Sequence, residues 1–151
     1  IGAILYTFLK NNREKDIVFS WDTMLDFEGE SGPYVQYSYA RGKSILRRSN
    51  IDTNDADFSL LTSDTEYELI KQLSKYGDAV KAAADKNEPF YVNRYVTGVA
   101  KLFNKFYNSN PILKSDVPDD VKKARLALVY ASTLVIKSAL GLLGIETVEK
   151  M

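Results

Sequence analysis

Among its 151 residues the sequence has no cysteine and no histidine. Without cysteine there is no disulfide framework, no thiolate-held zinc or iron–sulfur site and no thiol nucleophile. Without histidine there is no Ser-His-Asp triad, no imidazole general base and no imidazole metal ligand. Most routes to autonomous catalysis are closed by these two absences. Net charge is missing too: 20 basic and 20 acidic residues cancel, unlike a disordered acidic tail or a strongly basic nucleic-acid glove. Long hydrophobic runs are short in supply. The longest charge-free apolar run near the end, Leu126 to Ile136, has 11 residues, against about 20 for a membrane-spanning helix. The first ten residues carry no basic lead into a long apolar stretch, and no Asn-x-Ser/Thr sequon occurs. The expected location is therefore cytoplasmic, with no membrane partner and no DNA partner. The chain opens on Ile1 inside a helical pattern, as an excised piece of a longer protein would.

What is present suits one folded domain. Hydrophobic residues make up 45 % of the chain, enough at this length to bury a sizeable core. The charges are unevenly spread. Residues 1–49 carry seven basic and six acidic groups, residues 50–88 four and nine, and residues 89–151 nine and five. A neutral protein with a locally basic surface can still hold a polyanion, because the near field is what a phosphate meets.

The periodicity predicts an all-α helical bundle. A short apolar helix is expected over Gly2–Lys10, an extended stretch over Asp16–Ser20 and a short helix over Trp21–Phe27. Two glycines break the chain before Ser31, a plausible N-cap with Pro33 in the first turn. A helix should then run from Pro33 to Ser49, with 50–63 as a polar loop. Asp64 is expected to cap a helix to Lys75, Gly77-Asp78 to break it, and a further helix to reach Lys86. Pro89 opens a long helix to about Asn108, ended by Asn110-Pro111. Pro118-Asp119-Asp120 starts the last one, stopped by Gly144 near Leu143. Val121, Ala124, Leu128, Val135, Ala139 and Leu142 form one stripe of that helix. Val92, Val99, Leu102, Phe103 and Phe106 are its expected packing partners.

Two apparent motifs carry nothing. Gly42-Lys43-Ser44 looks like the tail of a phosphate loop, but the required upstream glycine is Tyr37 and the site lies within a helix. Asp22, Asp26 and Glu30 are spaced four apart, which a solvated helix face explains better than a metal site. The segment from Pro33 to Arg48 says more. At about 100° per residue, Tyr34, Tyr37, Arg41, Ile45 and Arg48 share one face, while Val35, Tyr39, Gly42 and Leu46 share a core face. Two rings, two guanidinium groups and flanking Lys43 and Arg47 are what single-stranded RNA loops meet: bases stack on aromatic and arginine planes, and cations neutralise phosphates. Packed tyrosines beside a solvated basic helix end would leave the same pattern. Asn104, Tyr107 and Asn108 add a weaker aromatic and amide cluster.

These segments resemble a known family. The stretch Phe27-Glu28-Gly29-Glu30-Ser31-Gly32-Pro33-Tyr34-Val35-Gln36-Tyr37-Ser38-Tyr39-Ala40-Arg41 is similar to the F-E-G-x-x-G-P-Y-x-Q-Y-x-H-A-R stretch of arginyl-tRNA synthetases. Ala124-Arg125-Leu126-Ala127-Leu128, Leu142-Leu143-Gly144-Ile145, Met151 and the Phe103-Asn104/Phe106-Tyr107 pairs match as well. The resemblance covers essentially the whole chain. It implies that residues 28–151 are a DALR helical anticodon-binding domain and 1–27 the trailing edge of a catalytic half. It also implies that Tyr34, Tyr37, Arg41, Asn104 and Tyr107 contact the tRNA(Arg) anticodon loop, with Met151 and Lys150 beside one base. Lys43, Arg47 and Arg48 are the phosphate candidates. The family's His-Ala-Arg histidine is Tyr39 here, on the core face, which reads as a packing substitution. Neither a histidine-bearing HIGH motif nor a KMSKS-like loop is present, so the chain alone should neither bind ATP nor activate arginine. ATP and Mg²⁺ would serve the parent enzyme. The competing expectations are a non-catalytic helical protein-interaction domain and a fragment competent in aminoacylation.

Overall fold

Among the described residues, 1–149 and 151 of the computed structural model, every regular element is helical. They are α1 (Gly2–Leu9), α2 (Trp21–Met24), α3 (Gly32–Arg48), a 3-10 turn (Phe58–Leu60), α4 (Asp64–Leu73), α5 (Tyr76–Lys86), α6 (Phe90–Ser109) and α7 (Asp119–Leu142). The bundle core is α3, α6 and α7, with α1, α4 and α5 packed around it.

The helix ends follow from local chemistry. Ser31 is extended, and its hydroxyl oxygen accepts the Tyr34 N–H at 3.1 Å, with Pro33 in the first turn as expected. For α4 the cap is Ser63 rather than Asp64. Its side chain accepts the Glu66 N–H at 3.3 Å while Glu66 accepts the Ser63 N–H at 2.8 Å, a reciprocal box. Gly144 ends α7 at φ 69°, donating to Gly141, and Ile145 donates to Leu140 at 2.9 Å. This left-handed closure turns the chain back toward α3.

Three further expectations need correction. The break between α4 and α5 lies at Ser74-Lys75, and Gly77 is inside α5. The hydroxyl of Tyr95 on α6 donates to the Gln72 and Leu73 carbonyls at 3.0 and 3.2 Å, satisfying acceptors the helix end leaves free. Leu142, assigned to the buried stripe of α7, is 57 % exposed. Ile45, placed on the ligand-facing side of α3, is buried. Of the rest of the stripe, Ala124, Leu128 and Ala139 are buried, whereas Val121 and Val135 are half-buried.

The core has two adjoining parts. One joins Tyr6 of α1, Val35 and Tyr39 of α3, Val96 and Val99 of α6, and Ile136 and Leu140 of α7. The other joins Ile45, Leu69, Phe103, Phe106, Leu126 and Val129. Tyr39, where the family writes histidine, is 2 % exposed. The two parts meet where α3 touches α7 at Gly42. A Cβ there would lie 2.5 Å from the Thr133 methyl, so only glycine permits the approach. By length and composition α7 could cross a membrane, but its apolar residues supply this core.

Candidate nucleic-acid interface

Arg41 is the centre of the site. Four residues after Tyr37 on α3, it shares that residue's face. Its guanidinium carbon lies 4.8 Å from the centroid of the Tyr37 ring and 4.8 Å from that of Tyr107 on α6. The cation is thus stacked against two rings from different helices. Asn104, one turn before Tyr107, fixes it: Arg41 Nη1 donates to Asn104 Oδ1 at 2.6 Å. Asn104 Nδ2 donates in turn to Ser38 Oγ at 2.8 Å, and Ser38 donates to the Tyr34 carbonyl at 2.9 Å. A hydrogen-bonded chain therefore ties α3 to α6 and sets where both tyrosines stand.

The rings remain accessible. Tyr37 is 36 % and Tyr107 39 % exposed. Phe27, just before α3, meets Tyr37 edge to face at 6.4 Å. Beside the stack lies a depression of about 450 Å³ lined by Tyr37, Arg41, Arg47, Arg48, Tyr107 and Met151, among others. A second depression of about 450 Å³ is lined by Phe27, Glu28, Tyr34, Tyr37, Arg41, Asn104 and Asn108. Both are of a size that takes a small planar group.

The predicted site residues fall into three sets. Tyr37, Arg41, Asn104 and Tyr107 are brought into direct contact. Tyr34 is half-buried, packs on the core and lines only the Phe27 side. Met151 is 55 % exposed at the other depression. Lys150 lies outside the described residues. Of the basic candidates, Lys43 and Arg47 both pair with Glu149 at 3.8 Å, whereas Arg48 makes no ion pair among the described residues. Phe27, Ser38 and Glu149 belong to this region and were not foreseen. Ser38 and Glu149 carry no local signal, because their partners are 66 and about 100 residues away.

The approach to α3 is held by charge. Glu30 is bonded to Lys101 of α6 and lies 3.8 Å from Lys10. The Lys101 ammonium holds its carboxyl below the usual carboxylate range. Asp26, the second of the three spaced acids, accepts the Glu28 N–H at 2.8 Å. These acids shape the Phe27–Gly32 turn.

Residues 35–151 match the DALR anticodon binding domain family. Over 151 residues the chain is 58 % identical to an arginine–tRNA ligase of Clostridium botulinum, covering all of this chain and 27 % of that protein. A Clostridium kluyveri arginine–tRNA ligase is 56 % identical over 154 aligned residues, again with 27 % of that protein covered. The arginyl-tRNA synthetase structure of Thermus thermophilus superposes with a TM-score of 0.92 at 33 % identity, over 99 % of this chain and 26 % of that one. The chain thus spans about a quarter of the length of these relatives. A helical bundle whose α6 and α7, with all but the first turn of α3, lie within the matched residues, and which overlays a solved relative along nearly its whole length, belongs to the DALR anticodon-binding domain family.

Proposed function

We propose that this chain binds the anticodon loop of tRNA(Arg) as the anticodon-binding part of an arginine–tRNA ligase. The observation that carries the reading is the Tyr37–Arg41–Tyr107 cluster, held by Asn104, with both rings part-exposed. Unpaired bases stack on exposed tyrosine faces, and the guanidinium between the rings fixes their separation. Arg48, unpaired among the described residues, faces the phosphates, with Lys43 and Arg47 beside it. Met151, which lines the depression, meets one base. Relatives named as arginine–tRNA ligases support the choice of tRNA.

Residues 28–151 are read as the anticodon-binding domain and 1–27 as the edge of the catalytic half, which is the partner this chain meets in the parent. In that parent, arginine is joined to tRNA with ATP and Mg²⁺ in the cytoplasm. These groups bind outside this chain, whose sequence holds no histidine for a HIGH motif. It contributes no catalytic residue, and neither DNA nor a membrane is its partner. The test is binding of the intact parent protein to a stem–loop carrying the arginine anticodon, against a scrambled loop, at several salt concentrations. Preference for the cognate loop, weakening with salt, is expected. Equal affinity for both loops refutes the reading.

A further inference from the structure

The segment after α7 runs along α3 in the same direction. Gln36 Nε2 donates to the Glu146 carbonyl at 2.7 Å, and Arg47 Nη1 donates to the Glu149 carbonyl at 3.1 Å. Three residues can span up to about 10 Å, enough to follow the rise of α3 from Gln36 to Lys43. At its end, the Glu149 carboxylate takes Lys43 on one oxygen and Arg47 on the other, each at 3.8 Å. Two residues on, Met151 lines the depression beside the tyrosine stack. An acid that neutralises two of three cations on a face meant for a polyanion works against affinity unless it does something else.

We propose that Glu149 is a positioning residue for RNA recognition: through Lys43 and Arg47 it straps the closing segment to α3 and so sets where Met151 walls the depression. The inference rests on the anticodon-binding reading. It gives Lys43 and Arg47 a different task from phosphate contact, because both are committed to the strap. The four contacts act together, since each fixes the same short stretch of chain.

The sign of one substitution separates strap from competitor. Glu149→Gln removes a negative charge beside a bound polyanion, and Coulomb's law alone makes binding tighter. If Glu149 positions Met151, the same change makes binding weaker. In the intact parent protein we expect Glu149→Gln to weaken binding of the arginine-anticodon stem–loop roughly fivefold. The slope of log K against log salt stays as in the wild type, and amide exchange in residues 145–149 speeds up. Arg47→Gln weakens binding comparably, and Arg47→Gln with Glu149→Gln is no weaker than Arg47→Gln alone.

Tighter binding with a steeper salt slope in Glu149→Gln overturns the proposal, because Lys43 and Arg47 would then have been released to meet phosphate. Unchanged affinity overturns it as well. If the wild-type protein shows no preference for the cognate loop, the anticodon reading itself falls and takes this inference with it. A cognate preference that survives while Glu149→Gln binds normally removes only the strap.

Discussion

Arg41→Lys keeps the charge at the centre of the site and removes its plane. The guanidinium carbon lies 4.8 Å from the centroid of each of two rings, and the group also donates to Asn104 at 2.6 Å. An ammonium can sit over one ring but cannot present two faces. Each stacking contact is worth about 0.5–1 kcal/mol at an exposed site. Their loss leaves Tyr37 and Tyr107 to be ordered by the RNA, at about 0.5–1.5 kcal/mol for each side chain. Affinity should therefore fall by roughly 1–3 kcal/mol, or about 5- to 150-fold.

The assay is fluorescence anisotropy of a labelled arginine-anticodon stem–loop titrated with the intact protein across a salt series. Because Lys carries the same charge, the salt slope should not change while the affinity drops. Arg41→Gln should fall at least as far. The reasoning is refuted if Arg41→Lys binds like the wild type while Arg41→Gln weakens and flattens the slope by about one unit. Arg41 would then be acting as a charge on a phosphate, and the stack would be incidental.

The remaining expectations concern the scaffold that holds the stack. Gly42→Ala places a Cβ 2.5 Å from the Thr133 methyl, so unfolding stability should drop by about 1–3 kcal/mol. Thr133→Ser, which removes that methyl and keeps the hydroxyl bond to Tyr130, should restore much of the loss; absence of rescue in denaturant melts would count against the steric account. Burial alone would raise the Glu66 carboxyl, but the Ser63 N–H and the Arg125 guanidinium at 2.7 Å bring it below its ordinary value. Its contribution is complete above the unfolded value of about 4.3 and is lost as pH falls through the lower folded value. Glu66→Gln should cost about 1–3 kcal/mol at neutral pH and give a shallower acid limb in a Tm-against-pH series. Burial pushes the Tyr6 hydroxyl up to about 12. Stability it contributes is whole below pH ~10 and fades as pH rises toward ~12, by roughly 3 kcal/mol in all. An alkaline limb of the same depth in Tyr6→Phe would contradict that assignment.

Local chemistry made the helix ends legible wherever the deciding partner is near in sequence. Ser31 reaches Tyr34 three residues on, and Gly144 closes onto Gly141. The end of α4 was misplaced because its free carbonyls are taken by Tyr95, more than 20 residues away. No turn residue marks that stop, whereas Gly77 looks like one and is simply tolerated in α5. Leu142 was misassigned for a related reason. An apolar helix with more than one buried face gives no single stripe, so the pattern does not say which leucine is left outside. Leu134, half exposed on the same helix, shows the same ambiguity.

The candidate site shows where this limit falls. Tyr37 and Arg41 are visible as a pair because a helix puts residues four apart on one face. That their partner ring is Tyr107 depends on how α6 crosses α3, a matter of packing. The crossing is set by three contacts: Gly42 against Phe103, Asn104 with Ser38, and Glu30 bonded to Lys101. Only the first leaves a trace in the sequence, as a glycine in the middle of a helix with no turn to make. A surface that must hold two rings on either side of one guanidinium tolerates little sliding between its helices. The contacts that fix the slide should therefore affect RNA affinity without touching RNA. Asn104→Ala is the sharpest case. It removes the Arg41 and Ser38 bonds together, so its effect on affinity should equal or exceed that of Arg41→Lys. An Asn104→Ala protein that folds normally and binds the cognate loop as tightly as the wild type would show that the rings find their places without the helix-to-helix tie.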